Sequence, residues 1–402
     1  MQLDVVETLC ELVRIPSVNP MGRNVVGEEY YEHRVTNYLE QLFRSLGWRY
    51  ERQCVAPLRE NIVARIEGEI LPEQGGKLLM LEAHQDTVPV DGMIIPPFQP
   101  DVKNGRVYGR GSCDIKGGLA SILAAAARFA AEKPAGRPTL LIGCTVNEEH
   151  GFNGASALAA TWADPQSTSL RALIPRRPDA VIVAEPTLLN VVAAHKGVLR
   201  WRCHTHGRAG HSSQPELGEN AIYRMAAVLA CLERYAQEVV GTLFEHPLVG
   251  RPTLSVGVIQ GGISVNTVPD HCTIEIDRRI VPLASDEPLA AQRHVMEYLR
   301  QHLPADLRLT HEEPFIQSRG LSDAKNGELV ARLCQVAQAH GAAGEKIGVP
   351  YGTDAPAYDA SGIPTVVFGP GSIAQAHTCD EWVEIAQLRA ASEIYYQFAK
   401  LF

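Results

Sequence analysis

Five short runs put histidines and carboxylates where apolar strands should end. In residues 79–89, LMLEAHQDTVP, an apolar run delivers His84 and Asp86 two residues apart, hence on one side of a strand. A ligating histidine needs a partner on its other ring nitrogen, which an aspartate at this spacing can supply. Alone, the pair is also compatible with a satisfied surface histidine beside a turn-forming aspartate. Residues 109–118, GRGSCDIKGG, surround Asp114 with four glycines just before a helical run, so the backbone can come close to whatever that carboxylate holds. The segment lacks the order of a phosphate-binding loop, and the plainer reading of Asp114 is a helix N-cap. In residues 145–151, TVNEEHG, Glu148 and Glu149 are adjacent, a costly arrangement at a strand end unless a cation or a shared proton offsets it. Residues 181–187, VIVAEPT, end a fourth apolar run on Glu185, and residues 369–381, GPGSIAQAHTCDE, place His377 in a loop before the last helix. Two histidines with several carboxylates and no thiolate suit Zn²⁺, Co²⁺ or Mn²⁺. Five ligands exceed the need of one tetrahedral catalytic ion, and a carboxylate-bridged pair of ions about 3.5–4 Å apart accounts for the surplus.

These residues need a scaffold that gathers strand ends. Helices are expected near 5–13, at 28–46 and at 116–132, with strands at 61–66, 77–82, 139–146 and 180–184 between and around them. Short apolar strands alternating with helices predict an α/β fold, with a mainly parallel sheet whose ligand site lies beyond the carboxyl ends of the strands. From about residue 191 the pattern changes to half-exposed alternation. Strands at 191–207, 253–259, 272–280 and 307–312, with helices at 219–238 and 286–302, give the β-α-β-β-α-β order of a ferredoxin-like α+β unit. The expected organisation is a catalytic domain of residues 1–192 and 313–402, interrupted by an inserted domain of residues 193–312. Its last elements are a helix at 327–340, a strand at 364–368 and a helix at 380–401.

Composition narrows the classes further. The 402 residues carry 37 basic and 46 acidic side chains, a formal charge of −9, with 45% hydrophobic residues. A mildly acidic chain without a basic stripe argues against nucleic acid as a partner. No run of 18 apolar residues exists, which argues against a membrane span. Nine dispersed cysteines without a CxxC pair, and an N-terminus lacking a basic signal-peptide start, lead us to expect a cytoplasmic protein.

Taken in order, HQDTVP, GRGSCDIKGGLA, NEEHG, AEPT and AHTCDE resemble the signature of the dizinc amidohydrolase and carboxypeptidase family. That family includes acetylornithine deacetylases, succinyl-diaminopimelate desuccinylases, aminoacylases and carboxypeptidase G. The resemblance covers essentially the whole chain. It implies one zinc on His84 and Glu185, a second on Glu149 and His377, Asp114 bridging them, Asp86 orienting His84, and Glu148 as general base. Glu185 stands where many members have Asp. The insert is implied to be a lid and the dimerisation surface of a homodimer. Residues 207–215, GRAGHSSQP, resemble the family's lid loop, which makes His211 the donor to the developing oxyanion, commonly in the partner's site. VNTVP at 265–269 and DRRIVP at 277–282 resemble its substrate-carboxylate binders, implicating Asn266 and Arg278, whose guanidinium can donate two parallel hydrogen bonds. Lys116 and Lys196 read as structural or solvated.

The implied substrate is a small N-acyl amino acid. Residues 350–357, PYGTDAPA, lack the arginine of the desuccinylase pattern, and an aspartate at 354 would attract an ammonium and repel a succinyl carboxylate. N-acetylornithine is therefore the expected substrate, with N-succinyl-diaminopimelate, other N-acyl amino acids and dipeptides as alternatives. A catalytically silent metal-binding regulator of the same fold is the rival from another class.

Overall fold

The computed structural model describes residues 2–163 and 170–402. The chain divides into two compact units, one of Met1–Ala193, Asp323–Ile347 and Thr353–Phe402, the other of Ala194–Ser322 and Gly348–Gly352.

The first unit is built on an eight-stranded sheet. Its strand order is Arg49–Ala56, Arg59–Ile66, Thr139–Thr145, Leu78–His84, Ala180–Val183, Thr365–Val367, Val191–His195 and Lys346–Val349. Thr139–Thr145, Leu78–His84, Ala180–Val183 and Thr365–Val367 run parallel, whereas Arg59–Ile66 and Val191–His195 join this central set antiparallel. Every residue of Leu78–His84 and Thr139–Thr145 is buried, as expected of strands covered on both faces. The helices Lys116–Glu132, Ile385–Leu401 and Val5–Val13 pack together as one cover, and His33–Ser45 and Asn153–Ala163 pack on the strands near the Arg49–Ala56 edge. Val5–Val13 starts where Asp4 accepts hydrogen bonds from the N–H groups of Val6 and Glu7, filling two of the helix's orphan donors.

In the second unit the sheet order is Thr253–Gly261, His271–Ile280, Gly197–His206, Leu309–His311, with antiparallel neighbours. Numbered along the unit this is 2-3-1-4, the arrangement of a ferredoxin-like sheet. Alternate residues of Gly197–His206 and His271–Ile280 are buried. They meet the helices Ala221–Arg234 and Pro288–His302 around Trp201, Met225, Ile274 and Val295. Ile316–Ser318 also pairs with Gly197–His206, so the unit continues past residue 312 to 322.

Several boundaries differ from the periodicity. The helix expected from 28 begins at His33, because Tyr30 bridges to Val18 and the Glu32 side chain turns inward to Arg59. The last helix begins at Ile385 rather than 380, because Trp382–Glu384 is drawn into a three-stranded sheet with Arg106–Tyr108 and Asp101–Lys103. That small sheet and the helix Asn153–Ala163 have no strong apolar period in the sequence. Lys116 is structural: its buried ammonium donates to the carbonyls of Leu12 and Ile15, at 3.0 and 2.6 Å, tying the end of the first helix.

Candidate metal centre

The parallel strands Leu78–His84, Thr139–Thr145 and Ala180–Val183 end on the same side of the sheet; His84 closes the first, and the turns after the other two carry Glu148, Glu149 and Glu185. Ligand atoms of His84, Glu148 and Glu185 come within 4.8 Å of one another, and so do those of His84, Asp114 and Glu149. Asp114 faces two ways. Its Oδ1 lies 3.2 Å from His84 Nε2 and its Oδ2 lies 3.3 Å from His377 Nε2, so each carboxylate oxygen addresses a different imidazole. His377 Nε2 is also 3.3 Å from Glu149 Oε2, and His84 Nε2 is 3.9 Å from Glu185 Oε1.

Asp86 is fully buried behind this group. Its Oδ2 accepts from Asn19 Nδ2 at 2.8 Å and from the Glu149 N–H at 3.1 Å, and its Oδ1 accepts from the Glu148 N–H at 3.2 Å. The expected carboxylate–imidazole contact takes a modified form. His84 Nδ1 is 3.0 Å from the main-chain oxygen of Asp86 and 3.6 Å from its Oδ1. Donation from Nδ1 to that carbonyl leaves the Nε2 lone pair facing Asp114, the tautomer a ligating imidazole requires.

Electrostatics point the same way. Burial, then mutual repulsion among the acids, pushes the Glu148 and Glu185 carboxyls well above the usual range and raises Glu149. For His377 burial opposes the charge, but Asp114 and Glu149 outweigh it and push the imidazole up to about 11. Asp86 goes the other way. Burial disfavours its charge, yet His84 and Asn19 hold the carboxyl down at about 2. The pocket thus carries more negative potential than its own protons neutralise comfortably, which a divalent cation would relieve. Glu149 Oε1 is buried and, among the described residues, has no hydrogen-bond partner. An orphan carboxylate oxygen beside two imidazoles and further carboxylates fits a site for hard or borderline divalent cations.

The candidates in the second unit are built differently. His211 is exposed, and its Nδ1 accepts from the Ser213 N–H at 3.2 Å, which leaves the ring proton on Nε2 and makes that nitrogen a donor. Asn266 is exposed in the loop after Thr253–Gly261, where its main-chain oxygen accepts the Ser212 N–H at 3.1 Å. Arg278 is fully buried, with Nη2 3.4 Å from Asp286 Oδ1. Lys196, in the same unit, donates to the Arg251 carbonyl at 2.6 Å.

Asp354 is 1% exposed. Its Oδ2 lies 3.0 Å from Thr145 Oγ1, a hydroxyl also bonded to the buried Glu82. One hydroxyl proton cannot serve two carboxylates, so the pair holds a proton of its own. Burial above all pushes Asp354 up to about 7 and Glu82 well above its usual range. Asp354 is thus held inside the fold by Thr145 and Glu82, the setting in which the expected pairing with a substrate ammonium has to be tested.

A model of the peptidase family M20/M25/M40 matches residues 80–401. The chain belongs to this family. An acetylornithine deacetylase of Myxococcus xanthus is 33% identical over 368 residues, 88% of this chain and 87% of the relative. Among solved structures, an M20 metallo-carboxypeptidase from Sulfolobus solfataricus covers 99% of both chains with a TM-score of 0.75 at 18% identity. A dinuclear metal-binding M20 peptidase from Bacillus subtilis covers 99% of this chain and 97% of its own, with a TM-score of 0.68 at 15% identity. This M20 chain is therefore a hydrolase with a candidate metal-binding cluster at the strand ends. Among the described residues, no helix is long and apolar enough to cross a membrane.

Three supporting residues of the M20 site escaped the sequence reading. Asn19 holds Asp86, and the buried Glu32 accepts from both Arg59 and the Asn147 N–H, at 2.6 and 3.1 Å, bracing the turn before Glu148. Glu381 accepts the backbone N–H groups of Gly111, Cys113 and Asp114. A glutamate within the His377 run and an asparagine between Val18 and Pro20 were visible, but only the folded chain brings them to the ligands.

Proposed function

We propose that this M20 hydrolase cleaves the amide of an N-acyl amino acid, converting N-acetylornithine to ornithine and acetate in the cytoplasm as a step of arginine biosynthesis. The observation that carries the chemistry is Asp114 presenting one oxygen to each of two imidazoles, beside the buried pair Glu148 and Glu149. The substrate assignment rests on the named relatives that cover nearly the whole chain. His84 with Glu185, and His377 with Glu149, would hold two divalent ions sharing Asp114, with Zn²⁺ the expected metal and Co²⁺ or Mn²⁺ as alternatives. When bound, such ions supply Lewis-acid polarisation of the scissile carbonyl and make water easier to deprotonate.

The chain's own residues do the rest. Glu148 takes a proton from the attacking water and passes it to the departing amine, a role suited to a carboxyl whose proton affinity burial has raised. Asp86 fixes the tautomer of His84 through its main-chain oxygen. His211 donates from Nε2 to the oxygen that becomes negative as the tetrahedral species forms. In this reading the loop serves the neighbouring chain of a homodimer assembled through the second unit. Asn266 and Arg278 hold the substrate carboxylate, Arg278 after exchanging part of its contact with Asp286. The test is turnover of metal-loaded protein on N-acetylornithine, N-succinyl-diaminopimelate, several N-acetyl amino acids and dipeptides. Preference for N-acetylornithine supports the reading. Faster cleavage of another substrate moves the specificity, and no cleavage of any leaves the metal-binding regulator.

A further inference from the structure

Glu381 lies four residues beyond His377 and is fully buried. Its Oε1 accepts the N–H groups of Cys113 and Asp114, at 2.9 and 3.0 Å. Its Oε2 accepts the Gly111 N–H at 3.1 Å and Arg110 Nη1 at 2.6 Å. Its main-chain oxygen accepts the Gly109 N–H at 3.0 Å. A carboxylate has about four acceptor sites, and here four donors occupy them. Glu381 therefore has nothing left to offer a cation, although it sits within the ligand-bearing segment.

The loop that wraps this carboxylate needs its glycines. Gly111 has φ +81°, and a Cβ there would meet Thr87 Cγ2 at 2.7 Å. Successive backbone N–H groups curled around one anion form a nest, and charge-assisted bonds of this kind are stronger than neutral ones. The result is a closed ring. Asp114 is anchored by its N–H to Glu381, the chain runs back from Glu381 to His377, and His377 returns to the Asp114 carboxylate at 3.3 Å.

We infer that Glu381 is a positioning residue that sets the spacing of Asp114 and His377, and so the affinity for the ion those two side chains share. The inference rests on the two-ion reading above, and it concerns a residue that touches neither ion nor substrate. Outer partners of metal ligands commonly control affinity by about 10–100-fold.

The experiment measures binding of Zn²⁺ by chelator competition and of Co²⁺ by its visible absorption spectrum. The proteins are wild type, Glu381→Gln, Arg110→Gln and Tyr396→Phe. Glutamine keeps the size of Glu381 but turns an NH₂ group toward one pair of donors. We expect Glu381→Gln to weaken the more loosely held ion by about 10–100-fold and to alter the Co²⁺ bands. Arg110→Gln leaves three backbone donors in place and should give a smaller loss in the same direction. Tyr396→Phe removes a hydroxyl bonded to Glu132, far along the last helix, and should lower thermal stability without moving metal affinity. A folded Glu381→Gln protein with wild-type affinity and spectrum overturns the inference. Should that variant not fold, an unchanged affinity in Arg110→Gln overturns it instead. An equal loss in Tyr396→Phe would reduce Glu381 to general stability, overturning the positioning role. Wild-type protein that binds no pair of ions overturns the two-ion reading itself, a result distinguishable from failure of the clamp alone.

Discussion

Asp86 and His211 are both assigned to one reaction, yet the chain holds them in opposite ways. Asp86 is fully buried and fixed by three N–H donors from two separate segments. His211 is exposed on a two-residue strand, and its ring meets Ser213 through Nδ1. The first unit spends buried polar groups on geometry, with Asn19 holding Asp86, Glu32 the Asn147 N–H and Glu381 the loop of Asp114. The second unit puts its polar candidates on loops, or pairs them internally as with Arg278 and Asp286. In the first unit the candidate ligand atoms come together within one chain. In the second, His211 pairs with Thr267 and the main-chain oxygen of Asn266 takes the Ser212 N–H, so these exposed segments hold one another without a buried polar layer beneath them.

The largest effect should come from breaking the braced side. Asp114→Ala removes the carboxylate shared by the two imidazoles and leaves neighbouring acids without a bridge. Activity should fall to background, and metal analysis should find fewer than two ions per chain. Two tightly held ions in that variant would remove Asp114 from its bridging role and weaken the contrast between the units.

Glu148→Gln comes next. It keeps shape and most hydrogen bonding but abolishes proton uptake, so kcat should fall by at least about 10²-fold with metal content unchanged. Ligand atoms of His84, Glu148 and Glu185 cluster closely, so metal content is the discriminating measurement. Loss of an ion together with activity would make Glu148 a ligand rather than a base.

On the unbraced side, His211→Ala should cost about 2.7–4 kcal/mol of transition-state stabilisation, with metals and thermal stability close to wild type. Mixing His211→Ala and Glu148→Gln chains under subunit exchange tests whether the loop serves its neighbour. A two-fold dimer presents the same surface twice, so a mixed dimer would contain one site with both Glu148 and His211. Recovery of a sizeable part of one wild-type site supports donation between chains. No recovery in verified mixed dimers places His211 in its own chain's site or outside catalysis.

What the sequence made legible follows the same division. His84, Glu149 and Glu185 follow apolar runs and Asp114 precedes a helical one, and the period-2 and period-3.6 patterns around them locate those element ends well. The ferredoxin-like order was equally readable, because its alternation of buried and half-exposed residues is clean. Less visible was everything held by long-range polar contacts. Glu381 meets Asp114 across 267 residues of sequence, and Asn19 meets Asp86 across 67. No local period records such pairings. Trp382–Glu384 was read as helix because its pairing with Arg106–Tyr108 is likewise non-local.

The smallest expected effect concerns Asp354, which the sequence assigned to the substrate and the structure buries against Thr145 and Glu82. If Asp354 were the partner of the substrate's ammonium, Asp354→Asn would unpair a desolvated charge at a cost of at least about 2 kcal/mol, roughly 30-fold in selectivity. The measurement is the ratio of kcat/KM for N-acetylornithine to that for N-acetylnorleucine, in which a methyl group stands in place of the terminal ammonium. Asparagine is nearly isosteric with the carboxyl and its side-chain oxygen can still accept from the Thr145 hydroxyl, so the ratio should move by less than about threefold. Both substrates would slow or hold together, since any displacement of Thr145 acts on the strand end that leads to Glu148 rather than on ornithine's side chain. A 30-fold collapse of the ratio would show that Asp354 reaches the substrate, and that a residue of the braced unit can behave like the exposed ones of the other.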